Sequence, residues 1–351
     1  MSSKKYLIYF QDLGGSRYLE SVLNEFVGVF NHSDTHFFFH KLSYSIKENL
    51  KSKFHESNFE NNEIKDLTKQ DWIKILKYKG ITNVVCTLSS NYLDISNSEL
   101  ISASKELLIP TLSFMDHWKG FNRLYDKNGK LKFDTTLLGV IDETSKKILA
   151  EMGCNPDSIR IAGNLHLENL TKRKSNLIQL KPNSAVIISQ PDNISKSFKS
   201  LFNLKIFKGV SLIEFLVSQN RIDIANFTYR PHPKEAQTLN NLISIDNLSY
   251  SNSLDISRVC IGINSMLLFE NYLVGNPVIK LEFEEFKGYE VDPIPYSFGK
   301  SVSNLDDLLI QIENEFNNST PIKPINFFTN SIKSLEGIIE EFTSTNLQRI
   351  I

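Results

Sequence analysis

Short, unbroken apolar runs alternate along this chain with longer stretches in which apolar residues return every three or four positions. Tyr6 to Phe10 is the first such run, and it reads as a strand covered on both faces of a parallel sheet. Gln11 to Ser16 follows as a glycine-containing loop. Tyr18 to Phe30 then carries Leu19, Val22, Leu23, Phe26 and Val27 at helical spacing. Strand, glycine turn and helix are the opening of a βαβ unit. The pattern predicts further strands at His36 to Leu42, Asn83 to Thr87, Pro110 to Phe114, Leu137 to Ile141 and Ser158 to Ala162. It predicts helices at Trp72 to Tyr78, Glu99 to Leu108 and Glu143 to Met152, the last closed by Gly153. Glu56 to Asp66 is polar and reads as a surface connection.

Between Asn164 and Pro182 the periodicity lapses and Lys172, Arg173 and Lys174 fall together, as in a linker. A second series begins at Ala185 to Ile188. It continues with a helix at Ser211 to Ser218 and strands at Ile224 to Tyr229, Ile243 to Tyr250, Arg258 to Gly262 and Pro277 to Leu281. Helices are expected at Ser265 to Leu273, Leu305 to Phe316 and Ile332 to Leu347. Two βα series imply two parallel sheets with helices on both faces. The expected division is an N-terminal domain over 1–168, a linker over 169–182, a C-terminal domain over 183–330 and a closing helix over 331–351.

Composition narrows the class. A chain of 351 residues is long for one core and suits two domains. Lys plus Arg is 39 and Asp plus Glu 40, giving a net charge of -1, so electrostatics offer no reason to expect nucleic acid. No secretory signal or apolar stretch of membrane-spanning length is read. Cys86, Cys154 and Cys260 have no partner spacing, and Cys86 and Cys260 stand in strand-like runs as small core residues. The expected location is the cytoplasm, with peripheral contact at the inner face of the membrane left open.

Four segments that follow predicted strands directly could carry chemistry, because open α/β sheets bind ligands beyond the carboxyl ends of their strands. Asn264-Ser265 opens a helix whose first amides suit a phosphate. The alternative there is a plain N-cap. Glu270 lies a turn and a half further on. In Arg230-Pro-His-Pro-Lys-Glu235 two prolines fix the backbone around His232, and Arg230 and Lys234 add positive charge, a combination fit for an anion. Asp116, beside His117 and Trp118, is a candidate general base; the alternative is a turn cap with Trp118 in the core. Asp12-Leu-Gly-Gly-Ser16 offers a second candidate base in Asp12, and Gly14 and Gly15 allow close backbone approach to an anion. The alternative is a tight strand-to-helix turn. The remaining histidines show no metal-ligand spacing, and no P-loop, G-x-S-x-G or H-E-x-x-H occurs.

Together these segments resemble the GT-B glycosyltransferase fold, two Rossmann-like domains facing a central cleft. Arg230 to Glu235 is similar to the His-Pro motif of bacterial sialyltransferases and polysialyltransferases. Asn264-Ser265 stands where those families carry a Ser pair, with one Ser replaced, and their acidic-acidic-Gly base motif is absent. Arg160-Ile-Ala-Gly-Asn164 also resembles the end of the N-terminal domain in UDP-sugar 2-epimerases. The resemblance implies a glycosyltransferase moving a CMP-activated acidic sugar to a glycan or polysaccharide acceptor without a metal. In it, His232 and Ser265 would hold phosphate, Arg230 and Lys234 would offset charge, and Glu270 would bind ribose. A sugar-nucleotide 2-epimerase or hydrolase of the same fold is the alternative, and a non-enzymatic binding protein the third reading.

Overall fold

The computed structural model describes residues 4–60, 64–88, 95–116, 118, 124, 134–172, 178–179, 183–189, 223–231, 244–263, 265–282, 297–318 and 330–344. The chain divides into two compact units, the first made of residues 1–168 and 328–351, the second of 169–327.

In unit 1 the elements run β1 (Tyr6–Phe10), α1 (Leu13–Glu25), α2 (Val27–Phe30), β2 (Thr35–Phe39), α3 (Lys47–Lys51), β3 (Asn58–Phe59), α4 (Lys69–Lys79), β4 (Asn83–Thr87), α5 (Ser96–Glu106), β5 (Thr111–Phe114), β6 (Leu137–Val140), α6 (Glu143–Glu151), β7 (Ile159–Ile161) and α7 (Leu165–Lys172). Among the described residues seven strands form one parallel sheet in the order β3-β2-β1-β4-β5-β6-β7. Every β1 residue is buried, and the alternation along it divides two cores. Tyr6, Ile8 and Phe10 face Leu19, Val22 and Leu23 of α1. Leu7 and Tyr9 face Trp72 and Leu76 of α4, Leu100 of α5 and Leu149 of α6. Helices therefore cover both faces, as an all-parallel sheet requires.

Unit 2 contains β8 (Ile178–Gln179), β9 (Ala185–Ile188), β10 (Phe227–Arg230), β11 (Ser244–Ile245), α8 (Tyr250–Leu254), β12 (Ile256–Ser257), β13 (Val259–Gly262), α9 (Met266–Leu273), β14 (Val278–Leu281), β15 (Lys300–Val302) and α10 (Leu305–Asn317). Its parallel sheet runs β11-β10-β9-β13-β14-β15, with β8 and β12 paired separately. After unit 2 the chain forms α11 (Ser331–Ser344), whose Leu335, Ile338, Ile339 and Phe342 join the α1 side of the unit 1 core.

Several expectations need correction. The stretch 169–182 is not plain linker, because it holds the end of α7 and β8. Asn164 supplies the cap that starts α7, its Oδ1 accepting from the Leu167 amide at 3.0 Å. The strand expected at Ile243 to Tyr250 shortens to Ser244–Ile245, and Ser249 caps a new helix through the Asn252 amide. Helix α1 begins at Leu13, so Gly14 and Gly15 are helical rather than loop residues. The helix expected at Ser211 to Ser218 lies outside the described residues. The three cysteines are buried and form no disulfide among the described residues, with burial pushing the Cys86 thiol up to about 11 and that of Cys260 to about 12.

Candidate functional site

In each sheet the strand order reverses once, between β1 and β4 in unit 1 and between β9 and β13 in unit 2. Such a switch point opens a crevice at the carboxyl ends of the strands, where ligands bind.

At the unit 1 switch point α1 starts directly after β1, with Asp12 as N-cap in extended backbone and no capping bond from its side chain. Gly14 is exposed and Gly15 buried. A Cβ on Gly14 would lie 3.2 Å from Asp116 Oδ2, and one on Gly15 would lie 2.7 Å from Thr87 Oγ1. Neither glycine has positive φ, so their missing side chains serve close approach. The positive end of the α1 dipole thus meets the Asp116 carboxylate, a favourable pairing. Beneath the two glycines the buried Ser16 Oγ, Thr87 Oγ1 and Asn97 Oδ1 have no hydrogen-bond partner among the described residues, although Asn97 Nδ2 donates to the Thr87 carbonyl and the Asn97 amide donates to Gln11 Oε1, both at 2.9 Å.

Asp116 is half-buried two residues past the β5 ladder. Its carbonyl accepts from Asn164 Nδ2 at 2.7 Å. Tyr18 donates its hydroxyl to the Gly163 carbonyl at 3.3 Å. Burial, and then the charge of Asp116, push the Tyr18 phenol far above its ordinary value, so it stays a proton donor. Trp118 is buried and donates its indole N–H to Asp142 Oδ2 at 2.7 Å, while Asp142 Oδ1 caps α6 through the Ser145 amide.

At the unit 2 switch point Ser265 is the N-cap of α9, its Oγ accepting from the Leu267 amide at 3.2 Å. The capping alternative thus holds for its hydroxyl, while the helix start itself stands after β13 as a phosphate site requires. A Cβ on Gly262 would lie 3.0 Å from the Ile188 carbonyl, so β9 and β13 approach closely there. Glu270 is buried in the second turn of α9. Arg230 ends β10 and is held in a buried ion-pair chain. Its Nη1 donates to Asp246 Oδ2 at 2.9 Å and to the Leu248 carbonyl at 3.2 Å, and Arg258 Nη2 reaches the same carboxylate oxygen at 2.7 Å. Burial alone would raise the Asp246 pKa, but the Arg258 and Arg230 guanidinium groups outweigh it and hold the carboxyl below its usual range. Arg230 therefore has a structural partner, which no sequence spacing announced. His232, Lys234 and Asn264 lie outside the described residues. Among the described residues no three metal-ligating side chains converge, and no helix is long and apolar enough to cross a membrane.

Sequence reasoning missed Tyr18 and Thr87, and met Asn164 only as the end of the Arg160 to Asn164 resemblance, without a role. The available signal was position, since each stands at or just beyond the end of a strand or in the first turns of the helix that follows one.

No family model matches the chain, and no curated protein matches it. Solved structures do. A UDP-N-acetylglucosamine 2-epimerase from Rickettsia bellii is 12% identical with a TM-score of 0.59, covering 99% of this chain and 98% of that one. A UDP-GlcNAc 2-epimerase from Neisseria meningitidis, bound to UDP-GlcNAc, is 14% identical with a TM-score of 0.56, covering 97% and 100%. Anabaena Alr3699/HepE in complex with UDP-glucose is 10% identical with a TM-score of 0.53, covering 98% and 100%. At these identities the likeness shows the fold, and that fold is GT-B: two Rossmann-like units built on parallel sheets. The expectation of a glycosyltransferase with a CMP-activated acidic sugar is corrected by the Rickettsia bellii and Neisseria meningitidis matches, which are to UDP-GlcNAc 2-epimerases, an enzyme class that is not a glycosyltransferase. The physical reason is that one scaffold hosts both chemistries, and the His-Pro segment that pointed to the transferase is outside the described residues.

Proposed function

We propose that this chain binds a UDP-sugar of the UDP-N-acetylglucosamine class and epimerises its sugar at C2, with no acceptor. The observation that carries the reading is the full-length GT-B likeness to UDP-GlcNAc 2-epimerases, one of them bound to UDP-GlcNAc. Two features of the chain support it. The start of α9 stands at a switch point, where the partial positive charge of the helix N-terminus favours a diphosphate. Asp116 supplies a half-buried carboxylate at the other switch point. In this reading Asp116 takes the C2 proton as general base while the C1–O bond to UDP breaks, and return of a proton to the opposite face of C2 with re-addition of UDP at C1 completes the epimer. His232, Lys234, Asn264 and Ser265 serve the diphosphate, Glu270 the ribose, and Asp12 is the second candidate for proton transfer. Arg230 acts mainly by holding the end of β10 in place.

The experiment is incubation with UDP-GlcNAc alone in D2O, followed by proton NMR. The C2 epimer should appear with deuterium at C2, and Asp116→Asn should slow it by about 100-fold or more. Release of UDP and free sugar without the epimer would instead assign hydrolysis. An unchanged substrate would sink the reading.

A further inference from the structure

The β5 ladder runs out just before Asp116. The Phe114 carbonyl accepts from the Leu88 amide at 2.8 Å and the Met115 amide donates to the Gly139 carbonyl at 2.9 Å. One residue later the Asp116 carbonyl is met by a side chain instead, Asn164 Nδ2 at 2.7 Å. Asn164 is 1% exposed, and its Oδ1 accepts from the Leu167 amide at 3.0 Å. Both ends of one amide are thus used, and only one orientation satisfies them, because Leu167 must donate and the Asp116 carbonyl must accept.

Asn164 is itself fixed from behind. Gly163 adopts φ +70, open to glycine without strain. Its carbonyl takes the Tyr18 hydroxyl. A Cβ there would stand 2.3 Å from Ser331 Oγ, so the first residue of α11 packs directly on the turn. The Ser331 amide donates to Glu168 Oε2 at 3.0 Å, which ties α11 to α7.

We propose that Asn164 is a positioning residue for Asp116. Its side-chain bond to the Asp116 carbonyl fixes the backbone from which the carboxylate reaches past Gly14. This rests on the reading of Asp116 as the base. A misplacement of about 1 Å at a reacting group costs on the order of 100-fold in rate, so the effect falls on kcat rather than on KM.

Two variants separate the roles of the amide. Asn164→Ser keeps an oxygen able to cap α7 but is too short to reach the Asp116 carbonyl. Asn164→Ala loses both bonds. With UDP-GlcNAc as substrate, both should lose about 10- to 100-fold in kcat with KM within about threefold of wild type, and only the Ala variant should melt markedly earlier. Hydrogen exchange in a peptide spanning Met115 to Trp118 should be faster in both. Wild-type kcat in Asn164→Ser beside a slow Asn164→Ala would reduce Asn164 to a helix cap and overturn the proposal. So would unchanged exchange at Met115 to Trp118, whatever the turnover. Asp116→Asn at wild-type rate would instead remove the base assignment, a separate outcome.

Discussion

Gly15 touches Thr87 so closely that the first added carbon becomes a test. Gly15→Ala would place a methyl 2.7 Å from Thr87 Oγ1 and 3.0 Å from its Cβ, and both residues are buried. The expected cost is about 1–3 kcal/mol, read as a lower urea midpoint. Gly14→Ala meets only Asp116 Oδ2, at 3.2 Å, and Gly14 is exposed. It should leave stability nearly unchanged and lower turnover by displacing the carboxylate. Asp246 carries a different prediction. Its side chain is 1% exposed between Arg230 and Arg258, so Asp246→Asn leaves buried guanidinium charge unmatched and should cost about 3–5 kcal/mol at neutral pH. The folded pKa of Asp246 is depressed. Its contribution is therefore complete above the unfolded carboxyl value of about 3.9 and is lost as pH falls through the lower folded value. Urea unfolding across that acid window should show a step in the wild type that is missing in Asp246→Asn.

Elements were legible wherever the apolar pattern was dense. β1, β4 and β9 follow continuous apolar runs, because a strand covered on both faces has no polar position to blur it. Helix starts were harder. Gly14 and Gly15 read as a loop because glycine usually breaks helices, whereas here contact with Asp116 and Thr87 outweighs a propensity cost of about 1 kcal/mol each. α7 went unseen because its signals are one capping Asn and three buried leucines, Leu165, Leu167 and Leu170. Asp116 was singled out as a candidate base by its place after β5. The Arg230–Asp246–Arg258 chain was not, since its members come from separate elements that only the fold brings together. α11 is a core helix of unit 1. It buries Leu335, Ile338, Ile339 and Phe342, each worth about 1.5–3 kcal/mol. Arg160 adds a two-pronged pair to Glu341 at 2.9 and 2.7 Å. Their sum rivals the whole stability of an ordinary domain, about 5–15 kcal/mol. A chain ending at residue 330 should therefore give a unit 1 without near-ultraviolet dichroism or dispersed NMR signals.

For the whole molecule, architecture was readable and chemistry only partly so. Two βα series define two Rossmann-like units, but the same scaffold serves transfer, epimerisation and hydrolysis. The choice among them lies in side chains that spacing alone does not rank. A thermal-shift comparison of nucleotides separates the readings at this scale. UDP at about 100 times its dissociation constant should add about 2.7 kcal/mol, and CMP at equal concentration should add little. A shift with CMP alone would count against the UDP-sugar assignment.

The return of α11 to the first unit also sets an order of events during synthesis. Residues 1–168 leave the ribosome first, yet the core they build stays open on the α1 side until 331–344 emerge. Unit 2 is complete before then. The unit begun first is thus the unit finished last, and the core surface that α11 covers must avoid aggregation for as long as unit 2 takes to be translated.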